Sequence, residues 1–107
     1  MEVHRHLGRG FLEVVYKDAL EYEFKKQEVS YEREKVYEIQ YKNIILPHRF
    51  YADFVVFDSI ILEVKCGSGI VDEFLAQTIN YLAVSGCKLG LIINFGQDTL
   101  EYKRVVL

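Results

Sequence analysis

Residues 89 to 94, Leu-Gly-Leu-Ile-Ile-Asn, carry no polar side chain before the last position and show no alternation. A strand with one wet face alternates polar and apolar residues, so this run reads as a strand covered on both faces. The chain must therefore supply helices to cover a sheet. Two segments have the required period. From about Phe11 to Lys26, apolar residues including Leu12, Tyr16, Leu20 and Phe24 recur at three and four, after an entry through Gly8-Arg9-Gly10. From about Val71 to Ser85, Phe74, Leu75, Thr78, Ile79 and Leu82 do the same, and Gly86 occupies the usual C-terminal glycine position.

Between and after these helices the period falls to two. Tyr37, Ile39 and Tyr41 alternate with Glu38 and Gln40 as a half-buried strand, and Lys42-Asn43 suits a turn. Ile44 to Leu46 and Phe50 to Phe57 read as extended segments with Pro47 breaking between them. Asp58-Ser59 reverses the chain into Ile60 to Lys65, which Gly67-Ser68-Gly69 ends. Gly96-Gln97-Asp98 turns into a last strand, Leu100 to Val106. The expected fold class is α/β, a mixed β-sheet flanked by two helices in the order αβββαββ.

One domain spanning residues 1–107 is expected. At 12.5 kDa the chain exposes about 18,000 Å² unfolded and about 6,200 Å² folded, so about two-thirds of its surface is buried around one core. Proline occurs once, and no repeat or Ser/Gly/Pro-rich linker divides the sequence. Thirteen basic against sixteen acidic residues give a net charge of −3, which excludes bulk electrostatic binding of nucleic acid but allows one local basic patch. Cys66 and Cys87 form no CxxC, and no apolar run approaches the roughly 20 residues of a membrane span. Free thiols in a cytoplasmic protein, away from membranes, are the simplest reading. His4, His6 and His48 lack zinc spacing, and Gly67-Ser68-Gly69 lacks the lysine and serine of a P-loop.

The chemistry concentrates at one strand end. Asp53 lies in a Phe/Val-rich strand, and ten residues later Glu63-Val64-Lys65 closes the apolar run Ile60-Ile61-Leu62. Two carboxylates are hard oxygen ligands for Mg²⁺, and a lysine two residues beyond the second shares its face of the strand. This is a way to build a metal-dependent phosphodiesterase. The structural alternative is plain: Glu-x-Lys is usually a solvated face, and Asp53 is satisfied equally by an ion pair with an arginine or with Lys65. The site also demands register. A two-residue turn at Asp58-Ser59 sets Asp53 opposite Val64, so a three-residue connection such as Phe57-Asp58-Ser59, or a bulge, is needed to set it opposite Glu63.

With its element order, Asp53 and Glu63-x-Lys65, the chain resembles the PD-(D/E)XK nuclease superfamily, whose core is restriction-endonuclease-like. Gly10-x-x-Glu13-x-x-Tyr16 resembles the signature of its GxxExxY branch. The likeness extends through Tyr51-Ala52-Asp53, Gln77-x-x-x-Tyr81-Leu82, the run from Leu89 to Gly96, and Lys103-Arg104-Val105-Val106. Ala52 stands where the superfamily name has proline, and only nine residues precede Gly10, where members of the branch usually carry more helix. The resemblance implies hydrolysis of nucleic-acid phosphodiesters, in DNA or RNA, with Mg²⁺, or Mn²⁺ as substitute, held by Asp53, Glu63, the Val64 carbonyl and Glu13. It implies that Lys65 positions or deprotonates the attacking water, and that Gln77 and Tyr81 touch the substrate or buttress the site.

Taken singly, Glu13 is a first-turn carboxylate favoured by the helix dipole, Tyr16 is core, and Gln77 and Tyr81 border the buried face of their helix. Two rivals to the enzyme follow. One is a module that grips nucleic acid or a protein without cutting. The other is a scaffold that forms a homodimer through its last strand, with Tyr102, Val105 and Val106 at the edge.

Overall fold

A computed structural model describes all of residues 1–107. The elements run α1 (Glu2–Leu7), α2 (Glu13–Lys26), β1 (Tyr31–Tyr41), β2 (Ile44–Val56), β3 (Ile60–Lys65), α3 (Asp72–Ser85), β4 (Leu89–Asn94) and β5 (Glu101–Val106). The expected order is present, with α1 added before Gly8. The five strands lie in chain order across one sheet. β3 and β4 are parallel with α3 as their crossover, and the other neighbours are antiparallel.

Helices cover both faces, as the unbroken apolar run of β4 requires. On one side Val3, Tyr16 and Leu20 from α1 and α2 pack on Phe54, Val64, Ile93 and Phe95. On the other, Tyr81 and Leu82 of α3 pack on Ala52, Val55, Ile61, Ile92 and Val105. α3 approaches β4 closely, because Gly90 leaves room for Thr78. Val105 faces inward at 7% exposure, so of the three expected edge residues only Tyr102 and Val106 stay in the open; β5 is nevertheless an outer strand.

Two expectations about β1 and β2 are corrected. β1 begins at Tyr31, six residues before Tyr37, because Tyr31 and Arg33 point at α2 and are tied there by Glu21 and Asp18. Pro47 does not break β2. The pairing shifts register between Glu38 and Gln40, and Pro47 sits in the slack of that bulge, where its missing N–H costs no ladder bond.

Candidate active site

The connection between β2 and β3 has three residues, Phe57-Asp58-Ser59, because Val56 pairs with Ile60. Phe57 and Asp58 both adopt left-handed backbone, φ 56° and 55°. Continuing that register places Asp53 opposite Glu63. The ladder itself ends at Phe54 and Leu62, so the two carboxylates stand where the strands fork.

Side chains replace the missing ladder bonds. The Asp53 N–H donates to Glu63 Oε2 at 2.8 Å, and the Val64 N–H donates to Asp53 Oδ2 at 2.8 Å. Each carboxylate is thus fixed by the other strand's backbone. β1 contributes an irregularity at the same level. Arg33 pairs with Phe54 and Lys35 with Ala52, yet Glu34 and Asp53 between them do not pair, and Glu34 has φ 55°. The consequence is visible in the packing: Ala52 and Phe54, two residues apart, belong to cores on opposite faces of the sheet. A regular strand cannot do this. The break in alternation falls on Asp53.

Glu63 is 2% exposed. Burial, and then the neighbouring charge of Asp53, push its carboxyl up to about 8, against the smaller pull of the Asp53 N–H, Lys65 and Lys17. Lys17 Nζ of α2 lies 3.1 Å from Asp53 Oδ1 and also pairs with Glu34. Burial lowers the Lys17 pKa, but its hydrogen bonds and charge interactions with Glu34 and Asp53 outweigh this and raise it.

Lys65 turns toward α3. Its Nζ donates to Gln77 Oε1 at 3.4 Å and lies 4.6 Å from the centroid of the Phe74 ring. Tyr81, one helical turn beyond Gln77, is buried edge-on against Phe50. Burial first, and then the charges of Glu63, Asp53 and Glu34, raise its phenol pKa. Behind Lys65, the fully buried Asn94 accepts the Gly67 and Gly96 N–H groups and donates to the Gly67 carbonyl and Glu101. This amide clamps the turn that follows the Glu-x-Lys strand.

Asp53, Glu63, Lys65, Gln77 and Tyr81 are thus gathered around the fork and the α3 face beside it. Glu13 is the exposed first residue of α2; with burial as the larger cause, its charge helps push the Cys66 thiol up to about 11. No three His, Cys, Asp or Glu side chains lie close enough together to hold one metal ion, so Glu13 does not complete a three-carboxylate cluster with Asp53 and Glu63. Tyr16 has a structural duty: it stacks on Phe95 with centroids 4.5 Å apart, and its hydroxyl donates to the Gly8 carbonyl and accepts the Phe11 N–H. It holds the turn in which Gly10 has φ 111°. Lys17 and Glu34 were not legible as site residues. The one available signal was Asp53 itself, a carboxylate that needed a partner, and the partner is neither Lys65 nor an arginine.

Comparison with protein families accounts for this architecture. The model of the PD-(D/E)XK nuclease superfamily matches residues 1–105. The chain belongs to that superfamily. Its fold is similar to the crystal structure of SSO0001, with a TM-score of 0.66 and 19% identity over 86% of this chain, and it spans 48% of that protein's length. At that identity the likeness is one of fold alone. Comparison with curated proteins gives no match.

Proposed function

We propose that this protein is a Mg²⁺-dependent nuclease of the GxxExxY branch, hydrolysing phosphodiester bonds in nucleic acid at the β2–β3 fork. The observation that carries the reading is the reciprocal lock between Asp53 and Glu63, which holds two carboxylates together beside Lys65. Burial first, and then the charge of Asp53, hold the Glu63 carboxyl toward its protonated form, and an added cation would favour the ionised one. The donor set is all oxygen, which suits Mg²⁺ or Mn²⁺. Asp53, Glu63 and the Val64 carbonyl would hold the ion, without Glu13, which does not join them. Bound there, the ion would supply Lewis-acid polarisation of a phosphoryl oxygen and would acidify water at the site.

The protein's own groups do the rest. Lys65 is a hydrogen-bond donor and fixed positive charge at the strand end, steadied by Gln77 and the face of Phe74. In this role it orients the attacking water and stabilises charge developing on phosphorus oxygens. Gln77 is exposed and on the same helix face as Tyr81, so it meets substrate while Tyr81 supports β2 through Phe50.

The test is cleavage of labelled single- and double-stranded oligonucleotides with Mg²⁺, with Mn²⁺ and with chelator. Lys65→Ala is expected to lower turnover about 10²-fold or more while substrate binding changes little, because its interaction is strongest in the transition state. Unchanged turnover removes Lys65 from the chemistry. A second reading is favoured by one contact: Lys17 already neutralises Asp53, which suits a domain that grips nucleic acid without cutting. Binding with no cleavage under any divalent ion establishes that reading instead.

A further inference from the structure

β1 and β2 pair with each other along nearly their whole length, but β3 pairs with β2 only at residues 54–56. The hairpin therefore continues past the site as a two-stranded arm. From Glu34 to the turn at Lys42-Asn43 it reaches about 23 Å at the usual strand rise. The shape of the molecule reflects it: the principal extents are 48 × 31 × 22 Å and the radius of gyration is 14.3 Å, against about 13 Å for a compact chain of this length.

Tyr41, Ile44, Ile45 and Tyr51 are each at least half exposed, a concentration of apolar side chains unusual for a surface with no partner. Between Glu38 and Asp53 there is no acidic residue, while Lys42, His48 and Arg49 fall within that span of a chain whose net charge is −3. Residues 39–52 of the arm carry no acid, with Glu38 of β1 set beside Arg49 at 3.8 Å, and they lead directly into Asp53.

We propose that this arm is a docking element for double-stranded DNA, an inference that rests on the nuclease reading and specifies its substrate. A two-stranded ribbon fits the major groove of B-form DNA but not the deep, narrow one of A-form RNA. Lys42 meets one phosphate, Arg49 exchanges its exposed 3.8 Å pair with Glu38 for another, and the apolar tip contacts base edges or wedges a base step. The arm thereby sets the scissile phosphate at the fork where it begins.

The experiment reads binding separately from cutting. Anisotropy of a labelled 24-base-pair duplex is measured in chelator, across a salt series, for the parent, for Lys42→Asn with Arg49→Gln, and for Ile44→Ser with Ile45→Ser. Asn tolerates the left-handed φ of 54° at position 42, so the charge variant should keep its fold, checked by far-ultraviolet dichroism. It is expected to bind at least tenfold more weakly, with a salt slope shallower by about 1 for each phosphate it no longer neutralises. The isoleucine variant is expected to bind about fivefold more weakly with the slope unchanged. Hydrolysis of a small phosphodiester such as bis(p-nitrophenyl) phosphate should be the same in all three. Parent-like duplex binding by both variants overturns the arm, as does a parent that prefers single strands or RNA duplexes, or a parent dimer that the isoleucine variant dissociates. A parent that cuts nothing, yet binds duplex through the arm, overturns the nuclease reading and leaves the arm standing.

Discussion

A proton on Glu63 links the site to stability. The folded carboxyl titrates at about 8 and the unfolded one near 4.5, so between those pH values the folded state binds more protons. Stability contributed by this group is present below about 4.5 and is lost as pH rises toward 8. Lys17, whose pKa is raised above 10.5, contributes stability that is complete in this window and falls only at higher pH, so it does not mask the trend. The metal-free melting temperature is expected to drop between pH 5.5 and 8 by several degrees, and Glu63→Gln should flatten the drop. Added Mn²⁺ should restore more at pH 8 than at pH 5.5, because the ion takes the ionised carboxylate. A melt equally insensitive to pH in parent and variant removes Glu63 as the buried acid. Lys17 offers a second residue-scale test. Its ammonium stands beside Asp53 and partners Glu34, so it competes with any cation brought to Asp53. Lys17→Met is expected to tighten Mn²⁺ binding about tenfold by titration calorimetry while lowering the metal-free melting temperature. Weaker binding shows instead that Lys17 organises the site.

Two glycines decide how the elements dock. A Cβ on Gly90 meets Thr78 Cγ2 at 2.5 Å, whereas a Cβ on Gly96 meets the Gly67 carbonyl oxygen at 2.2 Å and the Cys66 carbonyl carbon at 2.8 Å. The first clash is with a removable methyl, the second with backbone. Gly90→Ala is expected to cost about 1–3 kcal/mol in denaturant melts, and Thr78→Ser, which keeps the hydroxyl bond to the Phe74 carbonyl, should recover most of it. No single side-chain change should rescue Gly96→Ala, whose strain falls on the turn after Lys65. Gly90 reads in the sequence only as part of an apolar run, and its close approach is a tertiary fact. Helices α2 and α3, with β3 and β4, were legible because period and length agree there, α1 was not, and the three-residue turn was legible because parity demanded it. The start of β1 was not, since Arg33 and Glu34 look solvated until α2 is seen to supply their partners, Asp18, Glu21 and Lys17. Nor was the local break at Asp53, because β1 alternates straight through Glu34 and only the packing shows that Ala52 and Phe54 enter different cores.

The whole molecule has two outer strands, β1 and β5, and each must be kept from pairing with another chain. β1 is interrupted at Glu34 and lined with Glu32, Lys35 and Glu38, devices that spoil a flat edge. β5 carries Lys103 and Arg104 at its centre, unpaired in the structure's ion-pair network. An antiparallel two-fold pairing of β5 with its copy brings these like charges together, and Val105, one of the apolar residues available there, is already committed to the α3 core. Against this, Tyr102 and Val106 remain exposed at 65% and 71%, so the charges act as the guard. Light scattering on a sizing column is expected to give a single chain of 12.5 kDa at physiological salt. Lys103→Thr with Arg104→Thr should then shift the population toward dimers at tens of micromolar protein, since threonine favours strands and the repulsion is gone. A parent that already runs as a dimer, with the threonine variant no tighter, places self-association elsewhere on the surface.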